Sequence, residues 1–323
     1  MIPGIVASSG NQSPWTPLAS TTSITSGGYL LSIVDGVIRV VTSYTSGSSY
    51  MESRDNGASF TTFSPSFPST FSQYAVSSGF VVAVGTSGLR IRRRVNDASS
   101  AFQTITPEPF LNELPGGGPV YNGTRFAFVT SGNGIAVKVY SSDTGASGTW
   151  VQRTVPSLPP SDTVFLNQMY YALGTMMAIG LYNSGAVYYA LVSTDGISWQ
   201  TITLPTMTGR PTMGSTDTLL VLSSVSGTDA YTSVPGSNTF TPVTLGVPAS
   251  DIRQYGSKLY GFANGGRSLV VGDSLETLQV MPGPVPGNRS LTSLALNSTS
   301  NELWVTSGSL ISGGIIWKRP IPA

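Results

Sequence analysis

The sequence predicts an all-β chain folded as a β-propeller of about seven four-stranded blades, with six or eight blades as alternatives. Three observations predict it. Short β-branched and aromatic runs recur between turns of Gly, Asn, Ser and Asp. An aromatic or large apolar residue opens a strand-like stretch at Trp15, Phe60, Phe102, Trp150, Trp199, Phe240 and Leu278, with spacings of 45, 42, 48, 49, 41 and 38 residues, the size of one blade. No convincing stretch of about ten residues keeps a 3.6-residue apolar period, because Pro and Gly interrupt each candidate.

The elements follow in order. A lone strand at Trp15–Leu18 precedes the first full repeat. After Phe102 come Arg125–Val129 and Ile135–Tyr140, then the strand opened by Trp150. After Trp150 come Gln168–Leu173, Met176–Leu181 and Val187–Val192, then the strand opened by Trp199. The first and fifth repeats are less clearly marked. The last repeat offers Leu291–Leu296, Glu302–Thr306 and Gly314–Lys318 and lacks a fourth strand. The spare strand at the start completes it, so the ring is expected to close through a blade shared by both ends. Closure removes the unpaired edges of an open array. Residues 15–323 then form one propeller domain, and residues 1–14 an extended arm.

Composition narrows the chemistry. The 323 residues include 16 Lys+Arg and 15 Asp+Glu, a charged fraction of 10%, against about 25% in an ordinary domain. Ser (48) and Thr (36) make up much of the rest. The chain has no Cys and no His. Disulfides, zinc–thiolate sites, thiol nucleophiles, imidazole bases and Ser-His-Asp triads are therefore excluded. Any catalysis would rest on carboxylates, Tyr, Lys or a cation held by hard oxygens. The 40% hydrophobic content is ample for a core. A net charge of +1 lacks the basic footprint of a nucleic-acid binder. No apolar run approaches the roughly 18 residues of a membrane span, and Met1–Ala7 lacks a basic region and a long apolar stretch, so no signal peptide is expected.

Several of the marked strands follow one loop pattern. Ser53-Arg-Asp55-Asn-Gly57-Ala-Ser-Phe60 matches S-x-D-x-G-x-x-[W/F] in full. Ser141-Ser-Asp143-Thr-Gly145, followed by Trp150, matches with two extra residues, and Ser193-Thr-Asp195-Gly196-Ile-Ser-Trp199 with one fewer. The pairs Asp97/Phe102 and Asp273/Leu278 keep only the spacing. The pattern resembles the Asp-box, or bacterial neuraminidase repeat, of sialidase-like β-propellers. The physics of the box is structural: Gly supplies the turn's positive φ, the Asp and Ser oxygens accept the turn's N–H groups, and the aromatic packs between blades. In that family the boxes lie far from the active site. Sialidases also carry an Arg triad, a Tyr–Glu pair, an Asp acid and an Arg-Ile-Pro motif. This sequence has no Arg-Ile-Pro, nothing around Arg39 matches, and none of its five Glu residues (52, 108, 113, 276 and 302) sits in a recognisable motif. The chain is accordingly read as a non-enzyme without cofactor or metal, glycoside hydrolysis being the less favoured alternative.

Other features have two readings each. Arg90, Arg92 and Arg94 share one face of a strand, either a docking stripe for an acidic partner or anionic glycan, or a solvated outer strand whose charges discourage edge pairing. Gly272-Asp-Ser-Leu275 spells an esterase block but lacks the His that chemistry needs, and reads as a degenerate box turn. Gly116-Gly-Gly118 reads as a loop, since no Lys-Ser/Thr and helix follow it. Alternation turns one Tyr of each pair, Tyr170/Tyr171 and Tyr188/Tyr189, outward.

Low charge, abundant hydroxyls and the absence of an export signal, with the apolar start Met1-Ile-Pro-Gly-Ile-Val-Ala-Ser8, look like a bacteriophage tail-associated virion protein made in the host cytoplasm. That resemblance implies a structural or host-recognition role. Its partners would be other virion proteins, docked through the arm and its Ile2 and Ile5, and a host-surface glycan or protein. A free lectin-like propeller is the alternative.

Overall fold

In a computed structural model of the chain, the residues described are 15–18, 29–42, 48–67, 71–85, 90–105, 115–132, 135–156, 165–182, 187–224, 229–281, 290–308 and 315–321. The arm at 1–14, with Ile2 and Ile5, lies outside them. Seven antiparallel blades follow one another around a ring. Blade 1 is β2 (Tyr29–Val34), β3 (Val37–Thr42), β4 (Ser48–Ser53) and β5 (Thr61–Phe67). Blade 2 is β6 (Phe71–Val76), β7 (Phe80–Gly85), β8 (Arg90–Val95) and β9 (Gln103–Thr104). Blade 3 is β10 (Pro115–Tyr121), β11 (Phe126–Gly132), β12 (Ile135–Ser142) and β13 (Val151–Arg153). Blade 4 is β14 (Phe165–Ala172), β15 (Thr175–Tyr182), β16 (Val187–Ser193) and β17 (Gln200–Thr203). Blade 5 is β18 (Pro211–Ser215), β19 (Leu220–Ser224), β20 (Ala230–Ser233) and β21 (Thr241–Pro242). Blade 6 is β22 (Ser250–Tyr255), β23 (Lys258–Ala263), β24 (Ser268–Gly272) and β25 (Gln279–Met281). Blade 7 is β26 (Ser290–Asn297), β27 (Glu302–Gly308) and β28 (Ile315–Pro320), completed by β1 (Thr16–Pro17).

The closing strand pairs Thr16 with Lys318 and Pro17 with Trp317. Pro is tolerated there because the strand is an outer edge. Each of the seven marker residues stands immediately before the fourth strand of its blade.

Strand chemistry follows from the ring. An inner or middle strand is covered on both faces, so apolar residues run consecutively and alternate between two neighbours. In β7, Val81 and Ala83 pack with Val41, Tyr50 and Phe63 of blade 1, while Val82 and Val84 pack with Phe126 and Phe128 of blade 3. In β15, Met176 and Ala178 face blade 3, while Met177 and Ile179 face blade 5. The hydrophobic core is therefore divided into seven clusters, one at each boundary between blades.

Near the axis the blades converge and backbones touch. A Cβ on Gly214 of β18 would stand 1.8 Å from the Ile252 carbonyl oxygen of β22, and one on Gly117 of β10 would stand 2.9 Å from the Gln168 carbonyl carbon of β14. Gly116–Gly118, expected as a loop, thus lies in an inner strand, because only glycine allows this approach. The same proximity lets β18 and β22 pair in parallel at Ser215 and Arg253, joining blades 5 and 6 into one eight-stranded sheet.

These contacts separate two glycine classes. Gly57 has φ +84° and a Cβ there would lie 2.5 Å from the Trp304 ring, whereas Gly174 has φ +75° and open space around it. Gly57→Ala should cost about 3 kcal/mol, combining left-handed strain with overpacking, and Gly174→Ala only about 1–2 kcal/mol. Urea unfolding of both variants checks the difference; equal losses would show that Trp304 yields without cost.

Candidate functional site

The box turns differ in their wiring. In the first, Ser53 Oγ accepts the Gly57 N–H at 2.8 Å, and Asp55 accepts from Ser53 Oγ at 2.7 Å and from the Ser59 N–H at 3.0 Å. In the third, Ser193 Oγ accepts the Gly196 N–H at 2.8 Å, while Asp195 accepts the Ile197 and Ser198 N–H groups at 2.7 and 2.8 Å. In the second, the assignment of Ser141 and Asp143 is corrected. Ser142 Oγ accepts the Gly145 N–H at 2.8 Å. Ser141 instead accepts from Arg153 Nε at 2.7 Å, and Asp143 turns outward to pair with Arg125 Nη2 at 2.7 Å. The longer loop moves the serine nearest the glycine by one position, and alternation sends its neighbour to the other face.

Asp97 caps its turn through the Ser99 and Ser100 N–H groups although its sequence kept only the spacing. In the Gly272–Leu275 turn, Thr277 Oγ1 accepts the Asp273 and Ser274 N–H groups, and Asp273 pairs with Lys258. Phe60 packs against the cluster shared with blade 7, Phe102 lies in that shared with blade 1, Trp150 with blade 2 and Trp199 with blade 3. Trp150 Nε1 also donates to Gly145 O at 3.3 Å. In each case the neighbour is the preceding blade.

The arginine stripe is also corrected. Arg94 is 2% exposed. Its guanidinium carbon lies 3.9 Å from the Phe63 ring centroid, and its head groups bond Glu52, the Asp97 carbonyl and the Ser100 carbonyl. It faces blade 1, so it is unavailable to a partner. Arg93, one residue before Arg94 and so on the other face, sits over the Phe80 ring at 3.5 Å and donates to Thr144 O of blade 3 at 2.8 Å. Arg92 is half-buried, and Arg90 lies in β8 without a described side chain. A strand with a blade on each side has no free face to carry a docking stripe.

Glu52 gathers more cations than its sequence context suggests. Arg39 Nε lies 3.4 Å from its carboxylate, Arg54 Nη2 3.0 Å, and Arg94 bonds it directly. The Tyr50 hydroxyl donates to it at 2.6 Å. The three arginines, Glu52 and Tyr50 stitch blade 1 to blade 2: Arg39 also donates to Asn96 Oδ1 at 2.7 Å. Arg39, Tyr50, Glu52 and Arg94 are all 2% exposed or less. Burial pushes the Tyr50 hydroxyl well above its ordinary pKa, with the Glu52 charge adding to it. A cleft of about 260 Å³ opens beside the cluster, lined by Glu52 and Arg54 with Asp55, Ser59, Thr61, Phe63 and Ala98; Arg39 and Arg94 are not among its lining residues.

The open concavity is the axial channel, about 580 Å³ and walled by the first strand of all seven blades. Blades 1–3 contribute Leu30, Val34, Val76 and Val120; blades 4–6 contribute Tyr170, Thr212, Asp251 and Arg253. Among the described residues lining it, Asp251 and Arg253 are the only charged ones. Asp251 sits at a bulge of β22 with φ +49°, its N–H donating to Thr212 Oγ1 of blade 5 at 3.1 Å. Arg253 Nε and Nη2 both reach Asp251 Oδ1 at 3.0 Å. The Asp251 charge raises the Arg253 pKa further, and burial among the inner strands raises Tyr170, with Asp251 adding to it. The Gln168 amide links blades 4 and 5, its oxygen accepting from Arg210 Nη2 at 2.9 Å and its nitrogen donating to the Tyr170 hydroxyl and to Pro211 O. Tyr74, on the opposite side, donates to Arg39 O at 3.1 Å, and burial lifts its hydroxyl to about 12. Of the outward-facing tyrosines, Tyr171 is 40% exposed at the channel and donates to Asn122 O at 3.1 Å. No sequence motif marks these channel residues; they come together because each lies on the first, innermost strand of its blade. Among the described residues, no three Asp or Glu converge on a point that could hold a metal ion, and no helix is long and apolar enough to cross a membrane.

Two stability predictions follow from the turns and the buried cluster. Removing the Glu52 charge leaves Arg39 and Arg94 buried without their anion, so Glu52→Gln should destabilise the chain by about 3–5 kcal/mol in denaturant unfolding; a loss below 1 kcal/mol would show that the arginines are compensated elsewhere. Hydrogen bonds from Ser59 hold the Asp55 pKa at about 2, and bonds from Ser100 hold Asp97 at about 2. A depressed native pKa contributes stability above the unfolded value of 3.8 that is lost as pH falls through about 2. The melting temperature of wild type should therefore fall more steeply from pH 5 to pH 2 than that of the Asp55→Asn/Asp97→Asn variant.

Comparison with known proteins places this geometry. Solved structures with similar folds include YCF48 from Cyanidioschyzon merolae (TM-score 0.67, 13% identity, 94% of this chain and 98% of that one). Another is YCF48 bound to D1 peptide (TM-score 0.66, 15% identity, 96% of each chain). A third is the Pan2 WD40 domain of Neurospora crassa (TM-score 0.61, 11% identity, 97% of each chain). No curated protein matches the chain in sequence. The family profile described as the DUF6242 beta propeller domain matches residues 119–312, more than half of the chain, which therefore belongs to the DUF6242 beta propeller domain family.

Proposed function

We propose that the chain is a non-enzymatic binding propeller of a bacteriophage tail, serving there in structure and host recognition. The observation that carries the binding part is the axial channel, whose volume falls in the ~300–1,000 Å³ range of ligand sites and whose apolar walls hold a few convergent polar groups. One propeller of similar fold is known bound to a peptide, D1, which makes a protein segment the first occupant to test. The non-enzymatic reading draws on how two of the three described glutamates are engaged, the third, Glu276, being exposed on a turn. Glu52 is buried among arginines, and Glu302 pairs with Lys318 at 3.0 Å and accepts from Ser300 at 2.7 Å. The tail assignment draws on composition: few charges and many hydroxyls.

A free carbohydrate-binding propeller is the second reading, favoured by exposed Tyr171 beside Asn122 at the channel, since a sugar face packs well on such a ring. Mass spectrometry of purified particles separates the two. The tail reading expects the chain there in fixed stoichiometry; its absence from particles, with binding to a glycan array, would favour the lectin. Release of sugar from host polysaccharide, abolished by a Glu-to-Gln change, would overturn the non-enzymatic assignment.

A further inference from the structure

The boundary between blades 6 and 7 repeats the register of that between blades 1 and 2. Arg94 of β8 pairs with Val81, and Arg319 of β28 pairs with Leu303. Val81 packs toward blade 1 and Leu303 toward blade 6, so both arginines turn to the preceding blade. The aromatic marker lies over each: the Phe102 centroid is 5.7 Å from the Arg94 guanidinium carbon, and the Trp15 centroid 5.4 Å from that of Arg319. In the preceding blade the pairs Arg39–Glu52 and Tyr50–Phe63 recur as Tyr260–Val271 and Leu269–Met281. Val271 therefore stands where Glu52 does. Arg94 has the Glu52 carboxylate across its boundary. Arg319 has no carboxylate among the described residues: it is 5% exposed, its Nη1 donates to the Met281 sulfur at 3.1 Å, and burial lowers its pKa. A thioether is a weak acceptor. The Trp15 and Trp317 indole N–H groups, packed at the same boundary, are buried without a partner. The other six boundaries are each crossed by a hydrogen bond between nitrogen and oxygen, as from Asn297 to Asn56 at 2.8 Å between blades 7 and 1. The hydrogen bond described across blades 6 and 7 is the one to sulfur.

We propose that the boundary between blades 6 and 7 is the seam at which the ring opens, and that the buried Arg319, lacking an anion, is what weakens it. A guanidinium taken out of water without a carboxylate carries a desolvation cost that no pairing offsets. That cost is relieved when the boundary parts and water returns to the head group. The native ring thus holds here the state that loss of Glu52 would create between blades 1 and 2. Phe262 and Gly266 of blade 6 and Leu291 of blade 7 also line the axial channel, so parting there opens the channel from the side. The inference does not depend on what the channel binds.

The chain has no cysteine, so one introduced thiol reports opening without background. Val305 and Ala83 are both buried and occupy matching places, two residues beyond Leu303 and Val81, one in the cluster between blades 6 and 7 and the other in that between blades 1 and 2. The experiment follows N-ethylmaleimide labelling of the native full chain by mass spectrometry. Val305→Cys should label about tenfold faster than Ala83→Cys, the scale of one charge-assisted contact. Val271→Glu, which supplies the anion, and Arg319→Met, which removes the cation, should each bring the Val305→Cys rate down by about the same factor and leave the Ala83→Cys rate unchanged. Equal labelling of the two positions would overturn the seam. Fast labelling of Val305→Cys that a folded Val271→Glu or Arg319→Met variant does not slow would overturn the part given to Arg319. Slowing at both positions together would show that labelling runs through global unfolding, and would likewise overturn the proposal. If Val305→Cys loses its cooperative melt, Leu294→Cys, buried in the same cluster, takes its place. If Val271→Glu does, Arg319→Met decides alone.

Discussion

Two-sided burial governs most of this structure. A strand such as β7 cannot place a polar residue on either face without finding it a partner in a neighbouring blade, because both faces are covered. The apolar positions at 81–84 meet that constraint by alternation, and the core divides into clusters that belong to pairs of blades rather than to single ones. A blade removed from the ring would expose two apolar faces, so its stability is collective, as in other repeat architectures. The boundary between blades 7 and 1 carries Leu31, Ile38, Val40 and Met51 against Ala295, Trp304 and Ile316, and Leu18, just after the closing strand, packs against it.

The same constraint explains where polar chemistry can survive. Where a charge does enter a blade face, the opposing blade must answer it. At the first boundary Glu52 answers Arg39 and Arg94, while Tyr50, Phe63 and Phe102 surround the Arg94 head group. Such a cluster adds little net stability over an apolar alternative, since desolvation offsets most of the attraction. What it supplies is discrimination: Arg39 reaches Asn96 of blade 2 and Arg94 reaches Glu52 of blade 1, groups that only the correct neighbouring blade presents in that register. Away from the blade faces, polar groups concentrate along the axis and in the box turns, where water has access.

Fold and site were unequally legible in the sequence. Blade number and closure could be read because Trp15, Phe60, Phe102, Trp150, Trp199, Phe240 and Leu278 each precede a fourth strand, and because such strands sit at a fixed point in every repeat. The Arg94 environment could not be read. Period-2 alternation places Arg92 and Arg94 together on one face, but it does not say whether that face meets water or another sheet, and the partner Glu52 lies a whole repeat away. The exchange of Ser142 for Ser141 escaped for a related reason, since the pattern shows residue order and loop length decides which hydroxyl reaches the Gly145 N–H. The channel escaped altogether: Tyr170, Thr212 and Arg253 belong to three repeats and share only their place on the first strand of a blade.

That shared place on the inner strands has a consequence for how a binding surface can evolve on this ring. Residues of the blade faces are tied to two neighbours at once, so substitutions there are coupled across boundaries. Residues of the inner strands on the axial side touch the channel and one adjacent inner strand, as Thr212 does through Asp251 and Ser32 through Tyr74. They can change with less effect on the clusters that hold the ring. The bulges of β6, β14, β22 and β26, each near the start of its strand, loosen the inner register further at this level. Specificity is therefore most readily altered in the layer that Arg253 and Asp251 occupy, while the aromatic markers and box glycines keep the blades in place.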